Sequence, residues 1–221
     1  MGAPASHFSL AGYWAQGDAL SHAVAYLLLA MSLASWAIII AKLLSGLRVR
    51  RAAPAVDAFW NAPTLEDGLA LLRAADREDV FLPLPSAGLA HAAAATIPTI
   101  AGAMSRDEQI VRVLRQAITR STHRVESGLT LLASIGATAP FVGLLGTVWG
   151  IYHALSTVSL HGVVQIDKVA GPVGEALIMT AFGLLVAIPA VLAYNAFNRL
   201  NRLTLAELDG FAHDLHAYFS R

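Results

Sequence analysis

The sequence predicts an all-α integral membrane protein, with three transmembrane helices and long cytoplasmic helical extensions. Three observations lead there. Of 221 residues, 56% are hydrophobic and only 14% charged, with a mean hydropathy of +0.59, a balance too apolar for an ordinary soluble domain. Three stretches (22–44, 128–156 and 169–197) reach the roughly 20 apolar residues that cross a bilayer. Lipid offers no partners to free backbone N–H and C=O groups, so each stretch must be helical. The 15 Lys and Arg residues are placed so unevenly that they set a direction.

The elements follow in order. Residues 1–21 carry no Lys or Arg, so they lack the basic start of a cleavable signal and are placed as a periplasmic N-terminal segment. In the first span, 22–44, Leu27, Leu28, Leu29, Ile38, Ile39 and Ile40 suit lipid contact. Residues 45–127 hold ten arginines, from Arg48 to Arg124, and form a cytoplasmic helical domain. There Thr64 and Asp67 resemble a capping box, followed by Leu65, Leu69 and Leu72 at helical spacing. Pro83, Pro85 and Pro98 punctuate a loop, beside an alanine-rich patch from Ala87 to Ala95. Ser105 and Glu108 make a full capping-box pattern, with Ile110, Val113, Leu114, Ala117 and Ile118 behind it. One continuous helix is predicted from Arg106 to about Ser156, on the order of 75 Å long. Residues 157–168 form a periplasmic loop with a single basic residue, Lys168. The third span, 169–197, leads into a cytoplasmic C-terminal helix, 198–221, with Arg199, Arg202 and Arg221.

Other functions are disfavoured. Formal net charge is zero, so the balance points to no nucleic-acid partner. There are no cysteines, and the eight histidines show no metal-ligand spacing, so no metal or cofactor is expected. No nucleophile elbow or phosphate-cradling glycine loop appears, and the chain is read as a non-enzyme. His153, near the outer interface, is read as solvated.

The candidate site starts from Glu175, a carboxylate inside the apolar third span. Such a group costs several kcal/mol at membrane depth and by default marks an ion path, a proton relay or a buried partner contact. Desolvation raises the pKa of such a carboxyl and favours its neutral form. The bland alternative is a structural carboxyl hydrogen-bonded to a neighbouring helix. The second span carries a stripe of small residues at steps of three and four: Gly136, Pro140, Gly143, Thr147, Gly150 and Ala154. The third carries Ala176, Thr180, Gly183, Ala187 and Ala190. Such stripes let helices approach closely and read as packing seams. Counted from the outer ends of the spans, Thr147 and Glu175 share a level, with Thr180 about 7–8 Å deeper than Glu175. At about 100° per residue, Glu175 points roughly 100° from its own span's small stripe and about 140° from Thr180.

Two stretches, Gly136 to Ile151 (GATAPFVGLLGTVWGI) and Gly174 to Asn195 (GEALIMTAFGLLVAIPAVLAYN), resemble the second- and third-span motifs of the ExbB/TolQ/MotA proton-channel family, nearer ExbB than TolQ. The four-span layout expected of MotA is absent. Gly171-Pro172 departs from the family's usual Pro-Gly, which bears on the bend just before Glu175. The resemblance implies a multi-pass subunit of the bacterial inner membrane. It implies a homo-oligomeric ring, a pentamer in the family, embedded in phospholipid around helices of a small ExbD-like membrane protein. It also implies proton-driven motion passed through a TonB-like protein to outer-membrane receptors. Glu175 matches the family's third-span glutamate, and Thr147 and Thr180 its pore-lining threonines. The alternatives are a TolQ-like role in the Tol-Pal envelope system, a passive scaffold or a simple ion channel.

Overall fold

The computed structural model describes residues 18–94, 105–159 and 166–220; at 93–94, 157–159, 166–172 and 175 it describes the backbone alone. Among these residues the chain is helical apart from short turns between helices, with no strand. The helices are α1 (Ala19–Ala52), α2 (Pro54–Trp60), α3 (Leu65–Ala75), α4 (Pro83–Ala94), α5 (Arg106–Glu126), α6 (Leu129–Ser159) and α7 (Ile166–Phe219). Three stretches are long and apolar enough to cross a membrane, one each in α1, α6 and α7. The chain divides into two compact units. One holds the chain up to Ile39 together with Thr130–Tyr194; the other holds Ile40–Leu129 and the chain from Asn195 onward.

The first unit is built from the apolar parts of α1, α6 and α7. Ser21, Val24, Leu28 and Ser35 are buried and lie on one face of α1, at steps of three, four and seven residues. Leu28 is therefore a packing residue, not the lipid contact expected of it; Leu27 and Leu29 on either side are about half exposed. Three adjacent leucines in a helix spread over some 200°, so one of them must face the neighbouring helices.

The second unit has a conventional apolar core. Phe59, Leu72, Phe81, Leu84, Ile110, Leu114, Leu208, Phe211, Leu215 and Phe219 are buried in one cluster. Phe219 lies so close to Gly88 that a Cβ there would run into its ring. The two capping patterns close as hydrogen bonds. Thr64 Oγ1 accepts from the Asp67 N–H at 3.1 Å. Ser105 Oγ accepts from the Glu108 N–H at 3.3 Å, while the Glu108 carboxylate accepts from the Ser105 N–H at 3.0 Å. Asp76, buried at 2% exposure, accepts from the N–H groups of Val80, Phe81 and Leu82. It fixes the turn that leads into α4. Ser121 Oγ donates to the Val80 carbonyl at 2.8 Å, tying α5 to the same turn.

Two expectations are corrected here. Pro83 and Pro85 do not lie in a loop; they occupy the first turn of α4, where a missing N–H costs nothing and the fixed φ favours a helix. (Pro98 lies outside the described residues.) The continuous helix from Arg106 to Ser156 is interrupted: α5 ends at Glu126, and Gly128 takes a φ of 80° before α6 begins. Glycine enters that left-handed region without steric cost. Two carbonyls near the end of α5 are satisfied from other helices. Lys42 Nζ donates to the carbonyls of Arg124 and Val125, and Asn201 Nδ2 donates to Val125 at 2.8 Å. The third span carries the long helical extension expected of it: α7 runs without a break for 54 residues, about 80 Å.

Candidate functional site

The candidate site lies in the first unit, where α6 and α7 run antiparallel at near backbone contact. The glycines of α6 make this approach possible. A Cβ on Gly143 would meet the Met179 carbonyl oxygen at 2.6 Å, Gly183 Cα at 3.1 Å and Thr180 Cα at 3.2 Å. A Cβ on Gly183 would meet the Ala139 carbonyl oxygen at 2.7 Å. Gly150 faces Ala176 in the same way, and Gly136 faces Val191. Pro140, on the same stretch of α6, is half-buried. Lipid gives helices no hydrophobic drive to associate, so close packing and interhelical hydrogen bonds must hold them.

Those contacts fix the register, and the register decides which polar groups meet. Thr147 is 4% exposed, and its hydroxyl donates to the Leu144 carbonyl at 2.7 Å. The Thr180 hydroxyl donates across the seam to Thr147 Oγ1 at 3.4 Å. Thr147 is therefore level with Thr180, about one helical turn along from Gly150 and Ala176. The expected shared level of Thr147 and Glu175 is corrected: Glu175 lies five residues, about 7.5 Å, nearer the N-terminal end of α7. The register follows from where glycine lets the backbones close, and counting from the apolar ends of the spans cannot supply that. The backbone of Glu175 lies within α7, next to Ala176; its side chain lies outside the described residues. The backbone of Gly171-Pro172 is likewise helical, so α7 passes this point without leaving the helix.

The two hydroxyls form a short directed chain from Thr180 through Thr147 to the Leu144 carbonyl. Both protons are committed, and the Thr180 oxygen keeps lone pairs for a third group. A water or a protonated carboxyl could donate to it, which is the minimum a proton path needs within apolar helices. Among the described residues there is no group of His, Asp or Glu side chains able to hold a metal ion.

The same end of the unit carries a link that the sequence did not announce. Asp18 caps α1: its Oδ1 accepts from the Ser21 N–H at 2.9 Å. Its Oδ2 accepts from the Trp149 indole N–H of α6. The Ser21 N–H, with the Trp149 indole after it, holds the Asp18 carboxyl down at about 2, so it is ionised at any physiological pH. His153 is exposed and close enough for its electrostatic influence on Asp18 to act in the same direction. Between these groups and the seam lies Gly146, whose added Cβ would meet Val24 of α1 and Met179 of α7, both at 3.0 Å.

Comparison with known proteins gives consistent results. Residues 86–209 match the family described as the MotA/TolQ/ExbB proton channel family. The biopolymer transport protein ExbB of Xanthomonas campestris pv. campestris (strain B100) is 47% identical over 92% of this chain and 83% of its own length. The ExbB protein of Neisseria meningitidis serogroup A is 40% identical over 90% of this chain and 92% of its own. The Tol-Pal system protein TolQ of Pseudomonas aeruginosa is 40% identical over 52% of this chain and 49% of its own length.

Proposed function

The chain belongs to the MotA/TolQ/ExbB proton channel family, and from that premise we propose that it is the ExbB-like, proton-motive-force-driven stator subunit of a TonB energy-transduction system. It sits in the bacterial inner membrane with its N-terminus periplasmic and its C-terminus cytoplasmic, as the placing of its basic residues supports. Several copies, five by analogy with the family, surround helices of a small ExbD-like protein. Protons enter near Glu175, pass the Thr147–Thr180 level and leave on the cytoplasmic side by way of a carboxylate of that partner. Each proton crossing about 100 mV releases about 2.3 kcal/mol, so several are needed per cycle to do work on an outer-membrane receptor through a TonB-like protein.

The observation that carries this reading is the Thr180–Thr147–Leu144 hydrogen-bond chain. It lies within apolar helices and on the same two elements as the expected intramembrane carboxyl. Similarity over about nine-tenths of the chain to proteins called ExbB favours the TonB role. A TolQ-like role in an envelope system is the second reading, supported by TolQ relatives that match about half of the chain. A test is co-purification with a small ExbD-like membrane protein of the same bacterium, a mass measurement of the intact complex, and receptor-dependent uptake with Glu175→Gln. Loss of uptake with normal assembly is expected. Full uptake in the assembled Glu175→Gln complex would refute the stator reading, and retained uptake on deleting the whole chain, with loss of envelope integrity instead, would favour the TolQ-like role.

A further inference from the structure

We propose that Asp18 is a positioning residue: through Trp149 it sets the rotation of α6 that holds Thr147 against Thr180. The inference rests on the proton-path reading of those threonines, but its structural half can be tested apart from it. On a helical wheel of α6, Gly143, Thr147 and Gly150 fall within about 60° of one another and face α7. Trp149 lies about 120° from the centre of that face and is turned to α1. Gly146 lies between and touches both neighbours, Val24 and Met179. The two contacts of α6 are thus spokes of one wheel. Any turn of α6 about its axis that moves Thr147 off Thr180 also draws the indole N–H away from Asp18.

The anchor at the other end of the spoke is firm. Asp18 uses its two carboxylate oxygens for two different donors, the Ser21 N–H that starts α1 and the Trp149 indole. Val24 and Leu28, both 3% exposed, lie one and two turns further along the face of α1 that Ser21 begins. By contrast, the Thr180–Thr147 bond is long at 3.4 Å, and a small rotation would break it. A charge-assisted bond, about twice as strong as a neutral one, is placed about half a turn from a weak neutral one and governs it.

Side-chain chemistry separates the cap from the link. In Asp18→Asn the amide oxygen still accepts from Ser21, while its NH2 group opposes the indole N–H, donor against donor. Trp149→Phe keeps the ring and removes the donor. The chain has no cysteine, so Thr147→Cys with Thr180→Cys can be introduced directly into the full chain in its complex and oxidised with iodine. We expect rapid formation of an internal disulfide. Asp18→Asn and Trp149→Phe should each slow it about tenfold, the scale of a hydrogen bond to a charged group, and the two together should slow it no more than either alone. In chains that keep both threonines, energised uptake should fall in parallel at unchanged complex yield. Unchanged cross-linking in either single variant, additive slowing in the double variant, or a disulfide formed only between copies overturns the proposal. Coupled cross-linking beside full uptake in Glu175→Gln would instead sink the proton-path reading and leave the mechanical link standing.

Discussion

Adding one methyl group at Gly143 should open the seam between α6 and α7. A Cβ there would lie 2.6 Å from the Met179 carbonyl oxygen, with Gly183 Cα and Thr180 Cα at 3.1 and 3.2 Å. All three are backbone atoms, so no side chain can turn aside. Moving from 2.6 Å to an ordinary contact near 3.4 Å requires the helices to part by about 0.8 Å, a gap that forfeits a quarter to a half of each contact's attraction. Overpacking of this kind costs about 1–3 kcal/mol. The same parting takes the Thr180–Thr147 hydroxyls from 3.4 Å to about 4 Å, beyond hydrogen-bond reach. Gly143→Ala should therefore lower both the thermal midpoint of the purified complex and energised uptake. Gly183→Ala, against the Ala139 carbonyl oxygen at 2.7 Å, should match it. Gly136→Ala should be milder, because its nearest neighbour is a Val191 methyl. Gly46→Ala and Gly210→Ala meet nothing within 4 Å and should be neutral or slightly stabilising, since alanine is the better helix former by about 1 kcal/mol. If Gly143→Ala behaves like Gly46→Ala in both assays, the close-packed seam is wrong.

Other outcomes follow from the second unit. Gly128→Ala should destabilise by about 1–2 kcal/mol, because the left-handed backbone excludes a Cβ; a continuous helix there would make the same change stabilising, so the sign of the shift in thermal midpoint decides. Asp76→Ala leaves two buried N–H groups and a partly buried one without their acceptor and should cost about 3 kcal/mol or more, seen as loss of protease resistance in residues 45–127. The Arg48 guanidinium beside Glu78, with the Ser45 hydroxyl, holds the Glu78 carboxyl below its usual range. Its contribution is therefore present above the ordinary carboxylate pKa of about 4 and fades as pH falls through the lower folded value. The stability gap between wild type and Glu78→Gln should be small, because Arg48 is half exposed, and should close below about pH 4 rather than widen.

Local signals in the sequence carried the helical class well. Hydropathy marked three apolar helices, and the Ser105–Glu108 spacing marked the start of α5, because both depend on residues within one turn or one run. The stripes of small residues were legible as stripes; which glycine would meet which backbone was not. That pairing depends on two helices at once, and it moved Thr147 from the level of Glu175 to that of Thr180. Leu28 looked like its neighbours because composition does not state a helix's rotation. Gly128 was visible, yet a single glycine within a helical pattern does not say whether its φ changes sign. The Asp18–Trp149 link joins residues 131 positions apart, one just before α1 and one inside a motif, and no periodicity connects them.

In the proposed mechanism Glu175, within the membrane-spanning part of α7, takes up and releases the protons that drive work. The most direct measurement is proton flux into liposomes holding the complete complex with its small membrane partner, under an imposed potential, for wild type against Glu175→Gln. Flux is expected in the wild-type complex, with its loss to the level of empty liposomes in the variant. Equal flux from both would contradict it.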